Sequence, residues 1–187
     1  MLAPLLVHAL ALSSPQGDAS AAPRGEFQAA LSLAAGSSDW SGDPVGYSAL
    51  KLGLRLFSVI TPFAQIRLGY GIVDQRALTF LSLGVEGGYF IKENLFPRAF
   101  VAFVHQHEES MAVVAEQPFG AVLGIGSGIR HRAGAQMGLG LDVVVQRSAA
   151  YQLTVGPEVT AVYLTYSSGP SWYGLIGIVG AGHFRVF

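Results

Sequence analysis

The sequence predicts an all-β fold, a transmembrane antiparallel up-and-down β-barrel of about eight strands within a range of 8–10, and three observations predict it. First, Leu50, Leu52, Leu54 and Leu56 alternate with Lys51, Gly53 and Arg55. Side chains in a strand point to opposite faces with period two, so one face of this segment is oily and the other carries bare charge. Second, 51% of the 187 residues are hydrophobic and only 12% are charged, with a mean hydropathy of +0.44. A soluble domain carries about 25% charged residues, so charge is too sparse here to coat a water-facing surface. Third, beyond the first 20 residues no apolar run approaches the roughly 20 residues a membrane helix needs. In lipid every backbone polar group must be bonded internally, so only helices and closed barrels cross. With helices excluded, a barrel is left, its oil turned outward and its charge inward.

The N-terminal stretch Leu2–Leu12 is apolar, and Ala19-Ser20-Ala21 offers small residues in a cleavage-site pattern. Residues 1–21 therefore read as a secretory signal peptide, although no Lys or Arg precedes the apolar run. Residues 22–187 form the barrel domain. Its first expected strand, 25–35, turns Phe27, Ala29, Leu31 and Leu33 to lipid and Gln28 and Ser32 inward. A Gly/Ser/Asp loop leads to strand 45–58, and Val59-Ile60-Thr61 reads as a turn. Strand 62–73 puts Ile66, Leu68 and Tyr70 outside with Gln65 and Arg67 inside; strand 77–91 puts Leu81, Leu83 and Val85 outside with Ser82 and Glu86 inside. Lys92-Glu93-Asn94 turns the chain into strand 95–107, and a longer loop ends at Pro118. In 119–131, Leu123, Ile125 and Ile129 alternate with Gly124, Gly126, Gly128 and Arg130, which reads as another strand, closed by a turn at Arg132–Gly134. Strands 135–147 and 151–164 follow, with Gln136, Asp142 and Gln146, then Thr154 and Glu158, facing inward. The last, 172–187, ends at Phe187. These segments number nine, whereas single-chain bacterial barrels have even counts, and eight is the expected number. Tyr70, Tyr89, Tyr163, Trp172, Tyr173, Phe96, Phe184 and Phe187 lie near strand ends, as interfacial aromatic girdles require.

Several classes of function are disfavoured at once. The chain has no Cys, which rules out thiol catalysis and Cys-ligated metals. Eleven basic residues stand against 12 acidic ones; without Asp18 of the leader the balance is 11 to 11, and no basic cluster points to nucleic acid. Gly124-Ile125-Gly126-Ser127-Gly128 lacks the spacing and the strand–helix context of a phosphate loop.

The chemistry-bearing residues fall in two groups. Lys51, Arg55, Arg67 and Arg130 face inward against Glu86, Asp142 and Glu158. An eight-stranded barrel is just wide enough to be filled by side chains, so these predict an interior charge ladder, with a narrow charged pore as the alternative. The second group is His105-Gln106-His107-Glu108-Glu109-Ser110. His105 and His107 share a strand face and could ligate a metal, and a Ser/His/Glu set could serve acyl hydrolysis. The plainer reading is a strand leaving the membrane into a solvated loop. On that reading no catalytic residue, cofactor or metal is assigned.

Alternating strands, a cleavable leader and the ending Gly182-His183-Phe184-Arg185-Val186-Phe187 resemble the small bacterial outer-membrane barrels of the OmpA, OmpX and OmpW type. The resemblance implies an outer-membrane location, membrane lipids as surroundings, and the barrel-assembly machinery as a biogenesis partner that reads a C-terminal signal at Gly182, Phe184 and Phe187. Arg185 stands where that signal usually has an aromatic. Lipid A deacylase barrels carry a His-x-Ser-Asn motif that is absent here, so no catalytic residue is carried over. The expected function is that of a non-enzymatic barrel with a polar, side-chain-filled interior and a structural or envelope-interaction role built on short outer loops. The alternatives are a porin-like channel for small or hydrophobic solutes, a membrane-embedded lipid hydrolase and, least favoured, a soluble lipocalin-like ligand binder.

Overall fold

A computed structural model describes residues 25–39, 42–165 and 169–186; the expected leader and Phe187 lie outside them. Eight antiparallel strands, each paired with its neighbours in sequence, close into a barrel. They are β1 (Gly25–Ser38), β2 (Pro44–Leu56), β3 (Ile60–Gly71), β4 (Arg76–Gly88), β5 (Leu95–Ser110), β6 (Arg130–Arg147), β7 (Tyr151–Leu164) and β8 (Trp172–Arg185). The seam is complete, with β1 and β8 in register from Glu26↔Arg185 to Ser38↔Tyr173. Closure leaves no strand edge with unpaired backbone groups, which is the condition for crossing lipid.

Side-chain alternation follows the leucine ladder of β2. Leu50, Leu52 and Leu54 are exposed, whereas Lys51 is 4% and Arg55 1% exposed. The same inversion runs around the wall, where Leu33 on β1 and Leu139 on β6 are 70% and 67% exposed. Burial of charge with exposure of oil makes the outer wall a lipid-facing surface. Outward aromatics sit near both ends of the wall: Tyr70, Tyr163 and Trp172 at one, Phe27, Tyr89 and Phe184 at the other. Tyr163 and Trp172 stack with centroids 4.7 Å apart. Two residues expected in these girdles do not belong there, because Tyr173 and Phe96 fall on the inward phase of their strands and are buried.

At the end where β1 begins and β8 ends the connections are tight. Phe57 and Ser58, at φ 53° and 59°, make the β2–β3 turn, and Lys92 and Glu93, at φ 49° and 64°, turn the chain before β5. Two successive left-handed residues match the right-handed twist of the flanking strands. At the opposite, loop end, the Asp43 carboxylate accepts from the Val73 amide at 2.8 Å and ties the β1–β2 loop to the β3–β4 turn.

The segment 119–131 is not a wall strand. Residues between β5 and β6 form two single-turn helices, α1 (Met111–Glu116) and α2 (Pro118–Leu123), followed by an irregular stretch. Pro118 sits in the first turn of α2, and Gly124 ends it at φ 71°. Alternating Gly and Ile imitates strand periodicity, but Gly126 and Gly128 also take positive φ, which a strand does not use. The expected turn at Arg132–Gly134 is likewise part of β6, which runs unbroken through residues 135–147. A register shift between Val144 and Gln146 ends its regular alternation, so Gln146 is exposed rather than inward and bonds the Tyr151 hydroxyl at 2.7 Å. The short loops expected at this end are also corrected, since the β5–β6 connection spans residues 111–129 and packs against β4 and β5.

Candidate functional site: a filled lumen and a histidine cluster

Arg98 is the centre of the lumen. It stands on the inward phase of β5, with Phe96 and Phe100 on either side. Its cross-strand partner is Gly140, where a Cβ would lie 2.5 Å from the Arg98 Cζ; the missing side chain makes room for the guanidinium. Arg98 Nη1 donates to Glu86 at 3.1 Å and to Glu158 at 2.6 Å, and Nε donates to Asp142 at 2.9 Å. Lys51 Nζ reaches the same Glu86 at 2.6 Å, and Arg67 lies 3.8 Å from Glu158. Three cations thus meet three carboxylates in one enclosed network. Buried charges are tolerated when paired and hydrogen-bonded in this way.

Arg55 and Arg130, the other two members of the expected ladder, make their ion pairs with other carboxylates. Arg55 sits toward the end where β1 begins, 3.4 Å from Glu26, with its guanidinium 4.3 Å from the Phe96 ring centroid. A desolvated cation over an aromatic face contributes about 2 kcal/mol. Arg130 is at the loop end, where it, Arg76 and Arg132 converge on Glu108 at 3.4, 2.6 and 2.8 Å.

Between these charged layers the lumen is apolar. Val45, Tyr47, Leu78, Phe80, Val104, Val162, Leu164, Tyr173 and Leu175 form one buried cluster. Phe80 meets Tyr47 and Tyr173 edge-on, with centroids at 5.4 and 5.6 Å. The interior is therefore filled, as expected, but its upper part is a hydrophobic plug rather than a polar lining.

The histidine cluster is on the other side of the wall. His105, His107 and Glu109 occupy the outward phase of β5, and His131 on β6 is the cross-strand partner of His107. His105 Nε2 and His131 Nδ1 are 3.2 Å apart, and the three imidazoles gather with one ligand nitrogen from each within 4.8 Å of the others. The loop carrying α1 and α2 covers this patch: His107 is 3% and Glu109 1% exposed despite facing out. Glu108 and Gln106, by contrast, point into the lumen on the alternate phase. Ser110 ends β5 on that inward phase, opposite to His105 and His107, so the alternation separates the members of the hydrolase set.

The chain matches no protein-family model and no curated protein. Among solved structures it is similar to Neisserial surface protein A, at a TM-score of 0.60 and 10% identity, over 87% of this chain and 97% of that one. It is also similar to Ail, the attachment invasion locus protein of Yersinia pestis, at a TM-score of 0.50 and 10% identity, over 86% and 97% of the two chains. The fold is that of the small outer-membrane barrels.

Within that fold, the residues sequence reasoning overlooked are Arg98, Glu26, Arg76, Arg132 and His131. For Arg98 a signal existed, since alternation with Phe96, Phe100 and Ala102 places it inward. The role of His131 was hidden by the misassigned segment 119–131, which put a strand boundary where β6 in fact begins. Of the C-terminal residues singled out, Gly182 and Phe184 lie in β8, with Phe184 exposed on the outer wall.

Proposed function

We propose that this protein is a non-enzymatic outer-membrane barrel that conducts no solute and acts through its wall and loops, in a structural or envelope-contact role. The observation that carries the reading is the stacking of the lumen: Arg55 over Phe96, the network around Arg98, the aromatic cluster at Phe80, and three arginines around Glu108. A water-filled path would have to break several of these layers at once. Function is then left to the exposed surfaces, above all the connection at residues 111–129. The Yersinia pestis barrel of the same fold is named for attachment, a contact role of this kind. Export through a leader at residues 1–21 and insertion by the barrel-assembly machinery, with Gly182, Phe184 and Phe187 as the terminal signal, complete the reading.

Reconstitution in planar bilayers tests it. The folded protein is expected to give no stable conductance steps, and reproducible unitary openings would overturn the plug in favour of the narrow channel. Envelope lipid profiles of cells carrying Ser110→Ala are expected to match the parent; a changed acylation pattern would restore the hydrolase reading.

A further inference from the structure

We infer that His105, His107 and His131 form a binding site for a divalent late first-row transition ion, such as Zn2+, on the outer wall of the barrel at its loop end. The argument starts from the spacing of nitrogens. Zn–N bonds of about 2.0–2.1 Å in tetrahedral geometry separate neighbouring ligand nitrogens by about 3.3 Å. His105 Nε2 and His131 Nδ1 already stand 3.2 Å apart, and the third imidazole presents its nitrogen within 4.8 Å. Residues at i and i+2 of β5 supply two ligands on one face, and the adjacent strand supplies the third, so the backbone pairing His107↔His131 sets the geometry.

The surroundings are those of a held ligand set. His107 Nδ1 lies 3.3 Å from the Val122 carbonyl; donation to that oxygen fixes the tautomer and leaves Nε2 with its lone pair, as metal-bound histidines are commonly oriented. Gly124, at φ 71°, packs directly on the His107 ring where a Cβ would collide. Glu109, next along the same face, is buried with one carboxylate oxygen lacking a hydrogen-bond partner among the described residues, so an acceptor without a hydrogen bond stands beside the imidazoles. Three neutral imidazoles leave one position of a tetrahedral ion open, and nitrogen donors suit zinc, copper and nickel over calcium or magnesium. On binding, the proton shared by His105 and His131 leaves the contact: the donating ring takes its other neutral tautomer and both facing nitrogens coordinate. The ion would join the two strand ends that bracket residues 111–129.

The test uses the full chain without a polyhistidine tag, folded in detergent micelles and confirmed by heat-modifiable migration. Calorimetric titration with Zn2+ is expected to show one ion per chain, weakened at least tenfold by His131→Ala or His105→Ala and unchanged by His183→Ala, whose side chain lies in the lumen. Absence of saturable one-to-one binding, or binding indifferent to both rim variants, would overturn the site. Carbethoxylation of the wild type mapped by mass spectrometry gives a variant-free check. Zn2+ should protect His105 and His131, which are accessible without it, and leave His183 unaffected, and equal modification of that pair with and without the ion would refute the assignment. A chain that migrates as a folded barrel yet fails these tests loses the metal site and keeps the proposed plug.

Discussion

Removing Arg98 leaves three carboxylates, Glu86, Asp142 and Glu158, without the cation they share. Truncating one partner of a buried ion pair costs about 3–5 kcal/mol because the remaining charge stays enclosed. Arg98→Ala is therefore expected to lower the urea midpoint of the micelle-bound barrel by a free energy of that order. Arg98→Lys should recover only part of it, since an ammonium cannot reproduce the planar fork that engages Asp142 through two nitrogens. Filling the opposing space by Gly140→Val should disturb the same network while leaving every charge in place. Inward placement of Lys51, Arg67, Glu86, Asp142 and Glu158 was legible from period-two alternation alone. Which of them meet was not, because partners come from strands far apart in sequence and depend on register. The hub was missed for that reason: a single Arg after Pro97 carries no local mark of its three partners.

At the scale of elements, strand existence was legible wherever apolar and polar residues alternate over ten or so positions, and β7 was read with the bounds it has. Failure came at 119–131, where glycine supplied the pattern. A glycine fits an inward strand position and a left-handed turn equally well, so alternation built on it identifies neither. The segment's real organisation rests on Pro118 and on Gly124 at positive φ. Replacing residues 111–129 by a short turn is expected to leave the barrel folded, with stability changed by no more than about 2 kcal/mol, since loop-closure entropy varies slowly with length. The same change should uncover His107 and Glu109, which face outward from β5, and make the His107 imidazole reactive to carbethoxylation. A collapse of heat-modifiable migration in that variant would mean the loop is needed for folding. Gly124→Ala combines an unfavourable φ with a clash on His107 and should loosen α2 from the wall, seen as faster hydrogen exchange at 118–124.

For the whole molecule, the decisive feature is the inversion of the usual arrangement, charge within and oil without. It predicts that the barrel requires detergent or lipid to remain monodisperse, and that unheated folded protein migrates differently on a gel from the boiled chain. A monomer freely soluble in plain buffer would contradict the orientation of every strand. Composition and alternation made this global property legible, because both report on the wall as a sum over many residues. The apolar layer inside the lumen was not, since an inward Phe80 and an outward Leu81 are indistinguishable by hydrophobicity.

The seam between β1 and β8 also governs timing. Glu26 of β1 can meet Arg185 only once β8 is in place, so no barrel lacking that strand can seal itself, and β1 must wait beside an open edge until its distant neighbour arrives. Contacts of such wide sequence separation form slowly. A polypeptide stopped short of β8 would expose two rows of unsatisfied amides and carbonyls to hydrocarbon, and is expected to be degraded rather than retained in the bilayer.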